Sequence, residues 1–275
     1  MSTQATGLQE RIASGKTILL AEIHPPRGVD PASLQAAAKR YAGKVHAVGV
    51  SDNREMVAMS ALAAASLLKA GGLEPILHVT TRDRNRIALV SEALGAQALG
   101  IRNLLCTSGT HQTLGSYRAA KNVYDIDAVQ LLQTYAHLAS DGGLLGESYF
   151  PGAGPFCLGA VASPDADPFA LQLLRLAKKT RAGARFLVTQ PVYDLDRFEA
   201  WWQEVTRRGL HDQAAILAGI QPLSDGHFAQ AGPRPRPRIP DSLAGRVASQ
   251  SDPGARRAAA IEIALETIRR LSNLP

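Results

Sequence analysis

The residues best able to do chemistry stand where apolar runs stop. Glu22 interrupts the run Leu19-Leu20-Ala21-Glu22-Ile23 next to its end. Partial withdrawal of a carboxylate from water favours its protonated form and so makes it a proton donor. The competing reading is a structural carboxylate paired with an arginine. His78 lies at the end of Ile76–Val79, as a satisfied core group or as a ligand contact. Gln190 is placed similarly after Arg185–Thr189, and its amide can both donate to and accept from the edge of a heterocycle. Asp52, beyond Val45–Val50, suits either a ligand or the cap of the next helix. Thr107-Ser108-Gly109-Thr110 follows Ile101–Cys106 and offers backbone donors with no side-chain bulk at Gly109, which suits a flat ligand or a phosphate. Arg82, Arg84 and Arg102 could meet phosphates or form a solvated rim. Lys179 reads as an outward-facing helix lysine unless a phosphate lies beside it.

These residues share a position because the runs that carry them alternate with helix-period segments. Strands are predicted over Thr17–Ile23, Val45–Val50, Ile76–Val79, Ile101–Cys106, Phe156–Val161, Arg185–Thr189 and Ala214–Gly219. Helices are predicted over Pro31–Tyr41 (with Asp30 as N-cap), Met56–Ala70, Asp127–Leu138, Pro168–Arg181, Leu195–Arg208, Asp241–Val247 and Gly254–Leu271, with a further one between the third and fourth strands. Strand starts recur at roughly 28-residue intervals except for one doubled gap, the βα period of a TIM barrel. Parallel strands joined by crossover helices collect ligands at their carboxyl ends. A doubly wound sheet is the runner-up, but no Gly-x-Gly-x-x-Gly follows any strand. The expected fold is therefore α/β, a single TIM-type (β/α) barrel domain over residues 1–275, with the eighth strand and helix missing from the pattern. Residues 224–238 read as a flexible Pro/Arg loop.

The net charge of +6 is spread along the chain apart from Pro233–Pro240, and only 5% of residues are aromatic, so nucleic-acid binding has no support. A modest basic balance suits anionic small molecules. No apolar run reaches membrane-spanning length and the first residues lack a signal-peptide layout, so a cytoplasmic protein without membrane partners is expected. Cys106 and Cys157 lack metal-ligand spacing and fall inside strands, which predicts buried free thiols. Neither HExxH, GxSxG nor a Walker loop occurs.

Seven segments taken together resemble the methylenetetrahydrofolate reductase family: AEIHPPR (21–27), VGVSDNR (48–54), LEPILHVTTRDRNR (73–86), LGAQALGIRNLLCTSGTHQTLG (94–115), VYDIDAVQLL (123–132), AGARFLVTQPVYD (182–194) and LAGIQPL (217–223). The resemblance implies a TIM barrel that reduces the methylene bridge of 5,10-methylenetetrahydrofolate to a methyl group, with hydride passing from NADH or NADPH through FAD. It makes Glu22 the general acid. Gln190, Asp52 and Thr110 become folate contacts, while Ser51, His78, Thr107, Ser108, Gly109, Tyr124 and Lys179 line the flavin and its phosphates. No metal is implied. This chain departs from the pattern at Thr110, where relatives commonly carry an aspartate, and at Gly159 and Ser163, where many carry an aromatic residue and a histidine. These departures keep open a flavin-independent reductase and a non-catalytic folate-binding subunit of a larger complex. An incomplete barrel would leave edge strands that proteins normally cover, so a second copy or a partner subunit is expected to close it.

Overall fold

The computed structural model describes residues 6–54, 56–138, 150, 152–223 and 237–274. All seven expected strands form: β1 (Leu20–Ile23), β2 (Ala47–Val50), β3 (Pro75–Thr80), β4 (Asn103–Thr107), β5 (Cys157–Ala162), β6 (Phe186–Pro191) and β7 (Ala215–Gly219). The helices are α1 (Gly7–Ala13), α2 (Ala32–Tyr41), α3 (Ala61–Ala70), α4 (Arg86–Ala98), α5 (Ala128–His137), α6 (Phe169–Arg181), α7 (Leu195–Arg207), α8 (Asp241–Ala248) and α9 (Pro253–Leu271). Strand order in the sheet follows chain order from β1 to β7, and no eighth strand occurs among the described residues. This is the expected α/β fold of TIM type. Most of the Pro/Arg loop (224–236) and of the Gly-rich stretch before β5 lies outside the described residues. No described helix is long and apolar enough to cross a membrane.

Contacts divide the chain into two compact units, Met1–Val161 with Lys178–Phe186, and Ala162–Ala177 with Leu187–Pro275. In the first unit β1 to β5 pair in parallel. Side chains alternate across a strand, so register fixes which residues share a face. One face carries Val48, Val50, Leu77, Val79, Leu104 and Cys106, all fully buried, with α3 packed on β3 and α5 on β4. Burial stabilises each of the aliphatic side chains among them by roughly 1.5–3 kcal/mol. The opposite face carries Glu22, Gly49, Ile76, His78, Asn103, Leu105 and Gly159. Cys106 and Cys157 are buried and free, as expected.

The helix α1 has no counterpart in the sequence reading. Its capping box pairs Thr6 with Gln9, and Leu8 is fully buried. Leu8 N–H donates to Glu74 Oε1 (2.9 Å), and Thr6 Oγ1 donates to Asn103 Oδ1 (2.8 Å). Glu74 precedes β3 and Asn103 opens β4, so α1 covers the amino ends of these strands, away from the polar exits. Among the expected elements, β1 starts at Leu20, β2 at Ala47 and α3 at Ala61, each later than predicted. Asp30 accepts from Ala32 N–H (2.9 Å), but the N-cap position of α2 is Pro31.

In the second unit, Val192 N–H donates to Gly219 O (2.9 Å). A side chain at Gly219 would stand 2.6 Å from Thr189 O, so the close approach of β7 to β6 requires glycine. Trp201 is buried beside Phe198 (ring centroids 5.5 Å apart). A separate apolar cluster of Tyr193, Leu223, Val247, Ala260 and Ile263 seats α8 and α9.

Candidate active site

Glu22 opens on the same sheet face as His78; Gly49 pairs in register with Glu22 on one side and with Ile76, two residues before His78, on the other. A Cβ on Gly49 would lie 2.8 Å from His78 Nε2, so the imidazole occupies the space a side chain there would need. Burial pushes the His78 pKa down, opposed by the charges of Glu22 and Asp52, which keeps the ring neutral at pH 7. The desolvation expected for Glu22 is not found. Its side chain is 44% exposed, and Arg54 Nη1 donates to Oε1 from 3.3 Å. His24 Nδ1 stands 4.0 Å from Glu22 Oε1 and 2.7 Å from Ser51 Oγ, which links Ser51, His24, Glu22 and Arg54 in one polar chain. His24, Arg54 and the space at Gly49 were missed as site features. The signal for the last was a lone glycine inside a strand, which marks a close approach.

Asp52 is buried with its oxygens already engaged. Oδ2 accepts from Thr80 N–H (3.0 Å) and Arg84 Nη1 (2.5 Å), and Oδ1 accepts from Arg84 Nη2 (3.2 Å). It caps no helix, since α3 begins after Ser60. Its role here is to hold the exits of β2 and β3 together. Arg82 and Arg84 form no solvated rim either. Arg82 is buried, forks onto Asp83 (2.7 and 2.6 Å), and donates to the carbonyl oxygens of Asn53 and Thr110.

The loop after β4 is held from several sides. Gly109 has φ +78°, and a Cβ there would lie 2.4 Å from Thr80 Cγ2. Its N–H donates to Thr107 Oγ1 (3.3 Å), while Ser108 Oγ accepts from Ala128 N–H at the start of α5 (3.3 Å). Both hydroxyls act as acceptors in these bonds, and each keeps its own hydrogen to donate. Tyr124, also left-handed at φ +42°, stacks on His111 with ring centroids 6.5 Å apart. Lys179 turns back from α6 to donate to Val161 O at the end of β5 (2.5 Å), so it does not simply face outward. At Gly159 a Cβ would meet the Phe186 ring at 2.2 Å. An aromatic ring from β6 thus fills the space beside position 159.

In the second unit Gln190 alternates onto the same side of β6 as Phe186 and Val188. It lines a shallow concavity with Asp165, Val192, Tyr193 and Asp194. Asp165 Oδ1 lies 3.4 Å from Arg197 Nε, and burial pushes the Tyr193 hydroxyl up to about 12.

A seven-stranded sheet of TIM type with polar groups at successive strand exits places the chain among α/β proteins of the TIM class. The chain belongs to the methylenetetrahydrofolate reductase family, whose model matches residues 7–274. It is 26% identical over 171 residues to a probable methylenetetrahydrofolate reductase (NADPH) from Caenorhabditis elegans, a match spanning 62% of this chain and 24% of the relative. The match thus takes in about a quarter of that relative's length. Among solved structures it is similar to an uncharacterized protein from Clostridium thermocellum that binds two copies of 5-methyl-5,6,7,8-tetrahydrofolic acid. That likeness has a TM-score of 0.63 at 12% identity and covers 96% of this chain and 86% of the other. A 2,3-dimethylmalate lyase shares the fold more distantly, with a TM-score of 0.50 at 8% identity over 98% of this chain and 100% of that one.

Proposed function

We propose that the protein is an oxidoreductase that interconverts 5,10-methylenetetrahydrofolate and 5-methyltetrahydrofolate, with NADH or NADPH supplying the hydride for reduction. The observation that carries the reading is Glu22, which retains the family's acid position at the end of β1 on the face it shares with His78. In this reading Glu22 gives its proton to N10 of the substrate, the N10–methylene bond breaks, and an iminium forms at N5. Hydride adds to the methylene carbon, giving the methyl group, while the nicotinamide is oxidised and solvent returns the proton to Glu22. The Glu22–Arg54 pair is half-exposed on both sides, so breaking it costs only about 0–1 kcal/mol. Gln190 contacts the pterin, and Thr110 offers it a hydroxyl where relatives offer a carboxylate.

The donor set after β4 fits a flavin. The Thr107 and Ser108 hydroxyl hydrogens, the Tyr124 hydroxyl and the Lys179 ammonium suit its carbonyl and phosphate oxygens. When bound, FAD would relay the hydride from NAD(P)H to the substrate. A second reading, direct transfer without flavin, is favoured by the missing carboxylate at 110 and by Phe186 in the space beside position 159.

The absorption spectrum of the purified protein separates the two. Flavin bands that bleach with NADH and recover with methylenetetrahydrofolate support the first. A colourless protein that oxidises NADH only with the folate present supports the second. Folate binding without turnover would instead leave a non-catalytic folate-binding subunit.

A further inference from the structure

The last helix, α9, buries one face and leaves the other bare. Ala260, Ile263, Ala264 and Thr267 turn inward, and Arg270 is tied to Asp196 and Glu199 of α7 while Glu266 is tied to Arg246 of α8. The outward face carries Ala258, Ile261, Leu265, Ile268 and Ser272, all exposed, with the three large apolar side chains at 42%, 45% and 43%. The steps between them run three, four, three, four, the heptad spacing of a coiled-coil seam. Glu262 and Arg269 flank the seam at equivalent heptad positions; among the described residues their charges act on Arg246 and Glu266, which are already tied to each other.

We propose that α9 pairs with α9 of a second copy of this chain, antiparallel, about a two-fold axis between Leu265 and Ile268. Charge selects both the partner and the register. With Leu265 opposite Ile268 of the second copy, Glu262 faces Arg269 twice over, once on each side of the axis. Sliding to the neighbouring register, Leu265 opposite Ile261, sets Glu262 against Glu262. The pattern is self-complementary in one alignment and repulsive in the next, as an isologous interface requires. A single helix pair lies at the small end of specific interfaces, so the dimer should dissociate on dilution into the low-micromolar range.

Sedimentation velocity on the full chain over a concentration series tests this. A monomer–dimer equilibrium is expected. Leu265→Glu should leave only monomer, with an unchanged circular dichroism spectrum because the residue is exposed. Glu262→Arg and Arg269→Glu should each weaken the dimer tenfold or more, and the double reversal should restore it. A chain that stays monomeric at every concentration overturns the proposal. So does a dimer indifferent to Leu265→Glu, which would use another face, or a double reversal no better than the singles. None of these outcomes bears on the reductase reading.

Discussion

Arg82 donates through Nη1 to the carbonyl oxygen of Thr110, 2.9 Å away, and through Nη2 to that of Asn53, also at 2.9 Å. One buried guanidinium thereby joins the exits of β2, β3 and β4, with its charge balanced by the fork onto Asp83. The main chain of Thr110 is thus fixed by an arginine from the neighbouring strand exit. The loop 107–110 owes its shape to this clamp and to Gly109.

Arg82→Lys keeps the charge and loses the planar fork. A lysine cannot reach both carbonyls and the carboxylate together, which leaves buried acceptors unpaired. The expected loss is about 2–4 kcal/mol in urea unfolding. A variant as stable as the parent would show that the clamp contributes nothing.

Glu22→Gln retains size and polarity but has no proton to give. Methylenetetrahydrofolate reduction should fall by about 10²–10⁴-fold, the range for loss of a general acid. Reduction of bound flavin by NADH, where flavin is present, should persist because it needs no acid at that atom. Stopped-flow measurement of the two half-reactions tests the assignment, and equal loss in both, or in neither, removes Glu22 from the acid role.

Gly49→Ala would normally stabilise a strand by roughly 0.5–1 kcal/mol through backbone entropy. Here the new methyl would lie 2.8 Å from His78 Nε2, and the imidazole must move. We expect a net loss of about 1–3 kcal/mol in thermal unfolding. A stabilised variant would mean that His78 does not fill that space.

His78 gives the protein an acid-sensitive component of stability. Its folded pKa lies below the ordinary value of 6.5, chiefly through burial. Below about pH 6.5 the unfolded chain takes up a proton that the folded chain refuses, so stability falls as the pH drops through that value towards the folded pKa. His78→Gln should flatten this part of the stability–pH curve, read from urea midpoints between about pH 7.5 and 5.5. An unchanged slope would place its source elsewhere.

The seven strands, most of the helices and the placement of polar groups at strand exits were legible in the chain, because runs, periods and breakers are local properties. The helix α1 is not legible there although Thr6-x-x-Gln9 marks its cap, since its seven residues carry too little periodicity to stand out. What only the tertiary structure decided was the partner each polar side chain takes. Arg84 finds Asp52 from 32 residues away and Arg82 finds Thr110 from 28, both across strand exits set by parallel register. The His78 ring, two residues beyond the register partner of Gly49, leans over that glycine, and the close approach of β6 sets Phe186 over Gly159. Glu22 makes the division plain. Its strand and face follow from the alternation around it, whereas its exposure and its pairing with Arg54 depend on how a neighbouring loop folds back, which no local pattern encodes.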